Sequence, residues 1–267
     1  MGDRIKVGPD GFVELDEYMG SDEGICRAAR VSYDQAKKVS DDRTLIRYLM
    51  RHHHTTPFEM AELKFVVRVP MDTWRQWVRH RMASINEYST RYKEAIQSVA
   101  IPAAGEWRFQ SKTNKQGSGG RVSIVDGEEC QRDLAFATVA CQQAYERMIA
   151  RGVAREQARS VLPLCTYTEA FWKIDLHNLL HFLRLRMAPD AQQEIREYAN
   201  AIHDLVSPLF PFTFEAFADY RLDAIQLTAV DIAAIRNNDW AGVQIPNKRE
   251  REEYLAKIQR LGLPKAE

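Results

Sequence analysis

The segment Arg79-His80-Arg81-Met82-Ala83-Ser84-Ile85-Asn86-Glu87-Tyr88-Ser89-Thr90-Arg91 concentrates three arginines, a histidine, a glutamate, an asparagine and two serines. Its polar groups are short or planar hydrogen-bonders, unlike the Lys/Glu mixture of an ordinary solvated surface. Upstream, Arg75 and Arg79 stand four apart beside Trp74 and Trp77. Like charges at that spacing repel on a helix, so the arrangement points to a bound anion. Guanidinium forks match phosphate and carboxylate oxygens. The competing reading is a solvated basic face.

Arg159 and Arg186 add to Arg79, Arg81 and Arg91, with Gln76, Asn86, Glu87 and Ser89 available for orientation. So many guanidiniums exceed the needs of one monophosphate; two phosphorylated ligands, or a nucleotide and a dinucleotide, fit better. His52-His53-His54 and the pair His177/His181 resemble metal ligands at first sight. Consecutive side chains diverge, however, and the acid of a His-Glu-x-x-His site is missing. No metal is therefore expected, and His177, His181 and Arg184 read as contacts to an organic ligand. There is no nucleophile elbow and no glycine-rich turn of the Rossmann type. Residues 111–121, basic and glycine-rich, read either as a mobile surface loop or as a lid whose backbone amides close over a phosphate.

These groups need rigid supports. Leu63, Phe65, Val67 and Val69 alternate with polar residues, which predicts a strand. Pro70 ends it and suits the first turn of a helix carrying Gln76, Arg79 and His80 towards one pocket. A short strand is expected at 12–17. Helices are expected from Ser21 or Asp22 through Val31, and from Asp41 to His52 with Leu45, Tyr48 and Leu49 buried. Pro57 predicts an extended Thr56. Residues 101–126 read as poorly structured. An amphipathic helix through Leu134, Cys141 and Met148 should stop near Gly152, and a short one at 154–161 should set Arg155 and Arg159 a turn apart. Leu176, Leu179, Leu180 and Leu183 give the next helix its apolar face, followed by a helix at 190–207. Composition shifts beyond Tyr220, with helices expected at 231–241 and 248–261. The fold class is α+β: a mainly helical single domain (1–222) around a small mixed or antiparallel sheet, with a C-terminal helical extension (223–267).

The chain has 267 residues, and its 37 basic residues equal its 37 acidic ones. Balanced charge argues against a nucleic-acid partner, although Trp74, Trp77, Tyr88 and Tyr92 among arginines are what single-strand binding would use. No apolar run is long enough to span a bilayer, and residues 1–6 lack the apolar core of a signal peptide. Cys26, Cys130, Cys141 and Cys165 are too scattered for a zinc site or disulfide framework. They read as mostly buried thiols in a reducing cytoplasm.

Arg79-His80-Arg81 followed by Ser84, Asn86, Glu87, Ser89 and Arg91 resembles the signature of the flavin-dependent thymidylate synthases. Thr56-Pro57-Phe58-Glu59, Arg159-Ser160-Val161-Leu162-Pro163 and Leu183 to Arg186 extend the resemblance over about residues 10 to 220, in consistent order. It implies the family's own α/β fold and reductive methylation of dUMP to dTMP, with 5,10-methylenetetrahydrofolate as carbon donor and FAD reduced by NADPH. It implies a homotetramer with sites shared between subunits. By the same resemblance His54, Thr56, Arg79, His80, Arg81, Asn86, Glu87, Asp175, His177 and His181 would contact FAD. Gln76, Arg79, Glu87, Tyr88, Ser89, Thr90, Arg91, Arg159 and Arg186 would hold dUMP, and Arg186 would activate the uracil. Three positions depart from the pattern: Asp175, His177 and His181 stand where relatives often carry Asn, Arg and Asn. Met60 replaces a frequent histidine.

Overall fold

The computed structural model describes residues 3–32, 41–112, 117–240 and 243–263. Its strands are β1 (Arg4–Val7), β2 (Gly11–Met19), β3 (Glu62–Pro70), β4 (Ser84–Glu87), β5 (Arg108–Gln110), β6 (Ser118–Arg121) and β7 (Tyr167–Asp175). The helices are α1 (Asp22–Ala29), α2 (Asp42–Arg51), α3 (Thr56–Glu59), α4 (Met71–Trp77), α5 (Ile124–Ala150), α6 (Arg155–Ala158), α7 (Leu176–Arg186), α8 (Gln193–Val206), α9 (Pro211–Phe217), α10 (Ala229–Arg236) and α11 (Lys248–Arg260). Backbone contacts divide the chain into two compact units, residues 1–217 and 218–267.

In the first unit a five-stranded sheet runs β1-β2-β3-β7-β4, antiparallel at every pairing. Alternation on β3 buries Leu63, Phe65, Val67 and Val69 completely. Their neighbours on β7, in register with Phe65 opposite Trp172, bury Thr168, Ala170, Trp172 and Ile174 on the same face. Helices α4, α7 and α8 cover that face. Trp77 sits at the centre, with ring centroids 5.1 Å from both Trp172 and Phe182 and 5.7 Å from Tyr198. Each such ring taken from water contributes roughly 1.5–3 kcal/mol. The other face carries ion pairs, including Lys173 with Glu62 at 2.6 Å and Arg68 with Asp10 at 2.9 Å. Trp74 and Trp77 are both buried, which removes these two as stacking groups for nucleic-acid bases.

Several local expectations need correction. The 12–17 strand is longer, and β1 joins it through a turn with Gly8 at φ 64°. Helix α1, capped by Ser21, stops at Ala29, and Val31 is exposed. The buried stripe of α2 is Ile46, Leu49 and Met50, while Tyr48 points outward and stacks on His52 at 4.4 Å. Thr56 begins α3 instead of being extended; Pro57 lies in the first turn, where a missing N–H costs little. Pro70 is the last residue of β3 and caps α4 from outside.

The region 101–126 is ordered more than its composition implied. It holds a 3-10 turn at Ala104–Glu106, the β5–β6 hairpin and the start of α5. Arg108 anchors that hairpin on α8 through Glu194 and, at 2.8 Å, Gln193. Residues 113–116 of the glycine-rich segment lie outside the described residues. Of the cysteines, only Cys26 is buried; Cys130, Cys141 and Cys165 are half-buried free thiols, so most of the four are not the buried thiols expected. Burial, with Asp42 nearby, pushes the Cys26 thiol up to about 12.

The second unit opens with a π-helical turn at Ala218–Leu222. It then packs α10 against α11 around Ala234, Tyr254 and Ile258, with Trp240 and Ile245 at the rim. Buried Asp231 accepts from the Lys257 ammonium and from the Thr228 amide. The observed helices fall inside the spans expected at 190–207 and 248–261, whereas α10 starts and ends earlier than 231–241.

Candidate functional site

The arginine-rich segment is built from the end of α4 outward. The helix ends at Trp77, so Arg79 and His80 belong to tight turns closed by Arg79 N–H to Gln76 O (3.4 Å) and His80 N–H to Trp77 O (3.0 Å). Arg79 therefore lies beyond the helix that carries Arg75, and the helical-spacing argument for their repulsion does not apply. Gln76 is also turned elsewhere: its side chain bonds that of Gln192, and only its carbonyl reaches the site.

Arg79, His80, Arg81, His181 and Arg186 do come together. With Met82, Ile174, Asn178 and Leu185 they line a cavity of about 650 Å³. Helix α7 supplies half of it because Asp175 starts the helix there: its Oδ1 accepts the Asn178 amide at 2.9 Å, and its Oδ2 accepts the Asn178 side chain at 2.7 Å. Spacings of three and four residues then bring Asn178, His181 and Leu185 to one face of the helix. Arg186 closes the wall, donating from Nε to His80 Nε2 at 3.0 Å and from Nη2 to Gln76 O at 3.2 Å. Burial, then the Arg186 and His181 charges, push His80 down to about 4, so it is neutral near pH 7. His181 is lowered by burial and then by Arg184, His177 and Arg186. Burial lowers Arg186 as well, yet a guanidinium starts so high that it keeps its charge.

A second group lies along the strand exit. β4 pairs Glu87 with Ala170 of β7. Glu87 Oε1 accepts from the buried Thr168 hydroxyl at 2.8 Å. Tyr88 donates its amide to Glu169 O at 2.7 Å and its hydroxyl to Glu94 O at 2.6 Å. Arg159 donates to Thr90 Oγ1 at 3.2 Å, and the Arg91 amide donates to Ser89 Oγ at 3.4 Å. Ile174, which lines the cavity, and Ala170, which pairs with Glu87, are four residues apart, roughly 13 Å along β7. All four residues of β4, Asn86 included, are exposed.

His54 and Thr56 are exposed near the α2–α3 turn, where His54 meets Tyr48 edge-on at 5.7 Å. Helix α3 packs on α7, which bears His177. Thr168 and Asn178 were not among the residues singled out. The Asp-x-x-Asn spacing from Asp175 was a usable signal for Asn178; nothing local marked Thr168. Among the described residues no group of three or more His, Cys, Asp or Glu gathers as metal ligands.

The cavity joins cationic guanidiniums, imidazoles and an amide to apolar Met82 and Leu185. That donor set suits a planar ring system bearing phosphate. Comparison with known proteins gives the same direction. The family described as Thymidylate synthase complementing protein matches residues 14–212. A flavin-dependent thymidylate synthase of Ruegeria pomeroyi is 48% identical over 234 residues, 85% of this chain and 76% of that one. One from Dictyostelium discoideum is 45% identical over 265 residues, covering 95% and 86%. Among solved structures, the UMP/dUMP methylase PolB of Streptomyces cacaoi, bound with 5-Br dUMP, matches with a TM-score of 0.73. It is 35% identical to this chain and covers 82% of it and 99% of its own length. Arginine cavity, strand-borne signature and near-complete coverage converge: the chain belongs to the flavin-dependent thymidylate synthases.

Proposed function

We propose that the protein converts dUMP to dTMP, taking a one-carbon unit from 5,10-methylenetetrahydrofolate and reducing equivalents from NADPH through FAD. The observation that carries this reading is Arg186, a charged guanidinium that donates to two fixed acceptors and borders a cavity with Arg79, Arg81 and Asn178. A fixed cation against a uracil ring stabilises negative charge developing on it without exchanging protons. That makes C5 the nucleophile towards the one-carbon unit. Bound flavin supplies the hydride; the chain's own residues orient the rings and exclude water.

Arg79, Arg81, Asn86, His177 and His181, with His54 and Thr56 near the α2–α3 turn, form the flavin side, while His80 lines the same cavity with its Nε2 taken by Arg186. Asp175 contributes through the fold of α7, since both its oxygens are engaged by Asn178. Glu87, Tyr88, Ser89, Thr90, Arg91 and Arg159 form the nucleotide side, with Thr90 holding Arg159 in place. Gln76 serves through its carbonyl.

The working form is a homotetramer. One observation supports it, the surface of α5. Of that 27-residue helix only Gly127, Thr138 and Tyr145 are buried, while Phe136 is 78% and Val139 50% exposed. An apolar stripe of that kind fits a contact between copies. Among the described residues no helix is long and apolar enough to cross a membrane, and the four free thiols fit a reducing cytoplasm.

Anaerobic incubation with dUMP, methylenetetrahydrofolate, FAD and NADPH, assayed for thymidylate, is the direct test. Product is expected from the native chain and none from Arg186→Ala. A protein that never binds flavin would overturn the reading.

A further inference from the structure

We propose that His80 is a positioning residue for Arg186: a neutral acceptor that captures the guanidinium Nε–H and fixes which edge faces the cavity. The inference rests on the reading of Arg186 given above and assigns His80 a task distinct from touching flavin. Arg186 is held from two sides of one tight turn, at His80 Nε2 (3.0 Å) and Gln76 O (3.2 Å). Two bonds from different donors define the plane of a guanidinium; a single bond would let it swing. Both Nη1 protons and one Nη2 proton remain for a ligand.

The imidazole is itself fixed. Its ring meets Phe182 edge-on at 4.9 Å and His181 at 5.9 Å, and Phe182 is packed on Trp77 and Trp172. The orientation of Arg186 is thereby tied to the sheet core. An acceptor at Nε2 places the ring proton on Nδ1. The charged groups around His80 are Arg186 and His181 from α7, and Arg79 and Arg81 from its own turn, all at the same cavity. Burial, and then the Arg186 and His181 charges, disfavour protonation, so the acceptor persists.

The choice of residue type carries the argument. A carboxylate would hold Arg186 more strongly, but would cancel the charge that activates the uracil. A neutral imidazole directs the cation and leaves its charge intact.

Three substitutions separate these effects. His80→Phe keeps the ring and removes the acceptor; kcat should fall roughly 10- to 100-fold. Flavin absorbance per chain should stay unchanged, and the dUMP KM should move less than about threefold. His80→Gln, which places an acceptor near the Nε2 position, should restore most of kcat. His80→Glu should remain as slow as His80→Phe. In an Arg186→Lys background, which lacks the Nε–H, His80→Phe should have no further effect. Flavin loss in step with activity, or an equal loss in the Lys background, would overturn the proposal. A readout independent of turnover is 15N NMR of the chain without flavin. His80 should appear as the Nδ1–H tautomer titrating near 4, and should titrate higher in Arg186→Met. Titration of the native residue near 6.5 overturns the proposal even if thymidylate is made; absence of thymidylate with the expected NMR result removes only the assigned reaction.

Discussion

The Thr168 hydroxyl donates to Glu87 Oε1 at 2.8 Å, joining the signature segment to the buried face of the sheet. Thr168→Val keeps the shape and removes the donor. A bond of this kind is worth about 1 kcal/mol, so the dUMP KM should rise roughly fivefold, with Thr168→Ser close to native. Steady-state kinetics on the three proteins checks this; an unchanged KM would detach Glu87 from nucleotide binding.

Trp77 is the hub of the aromatic cluster and has no exposed surface. Trp77→Ala should destabilise the fold by about 3–5 kcal/mol, measurable by urea denaturation.

Gly127 lies where α5 crosses the 3-10 turn at residues 104–106. A Cβ there would collide with the Ala104 carbonyl. Gly127→Ala should cost roughly 1–3 kcal/mol, and thermal melting should show it. Gly152, whose Cβ would meet nothing within 4 Å, adopts φ 77° instead. A loss at that position would report backbone strain alone.

Stability should depend on pH through His80. Its folded pKa is about 4 against an ordinary 6.5. As pH falls through 6.5 the unfolded chain takes up the proton first, so the native state loses stability down to about 4 and no further. His80→Phe should flatten that window in denaturation series run from pH 7 to 4.

If α5 joins copies, charge on its exposed stripe should separate them. Phe136→Glu combined with Val139→Asp should leave the circular dichroism unchanged and reduce the mass seen by light scattering. An oligomer that survives the double substitution places the contact elsewhere.

Much of the scaffold was legible because burial on one face leaves a period. The alternation of β3 and the leucine face of α7 were read directly, and so was the α2 helix, although its stripe was misplaced by one residue. β7 was not recognised: Thr168 is buried and Phe171 is 46% exposed, so its polarity pattern runs against its burial pattern. β4 has no buried residue and left no hydrophobic period to read. Of the anion pocket read from Arg79, Arg81, Arg91, Arg159 and Arg186, the cavity holds Arg79, Arg81 and Arg186, while Arg91 and Arg159 lie with the second group along the strand exit. The repelling pair Arg75 and Arg79 is separated by the end of α4, which depends on where the helix stops and not on residue spacing. Gln76 was assigned to the pocket by helical periodicity, and its side chain bonds Gln192 instead. Long-range partners of that kind carry no local signal.

The position of β4 at the rim of the sheet has a practical consequence. Among the described residues it pairs with β7 on one side only, so alternate backbone amides of the segment holding Asn86 and Glu87 point away from the sheet. In dilute protein those amides should take up deuterium at nearly the rate of an open peptide. Covered by another copy, or by a ligand laid along the strand, they should slow by orders of magnitude. The outward-facing amides of β4 thus act as a clock for completion of the site, readable by mass spectrometry before any substrate is turned over.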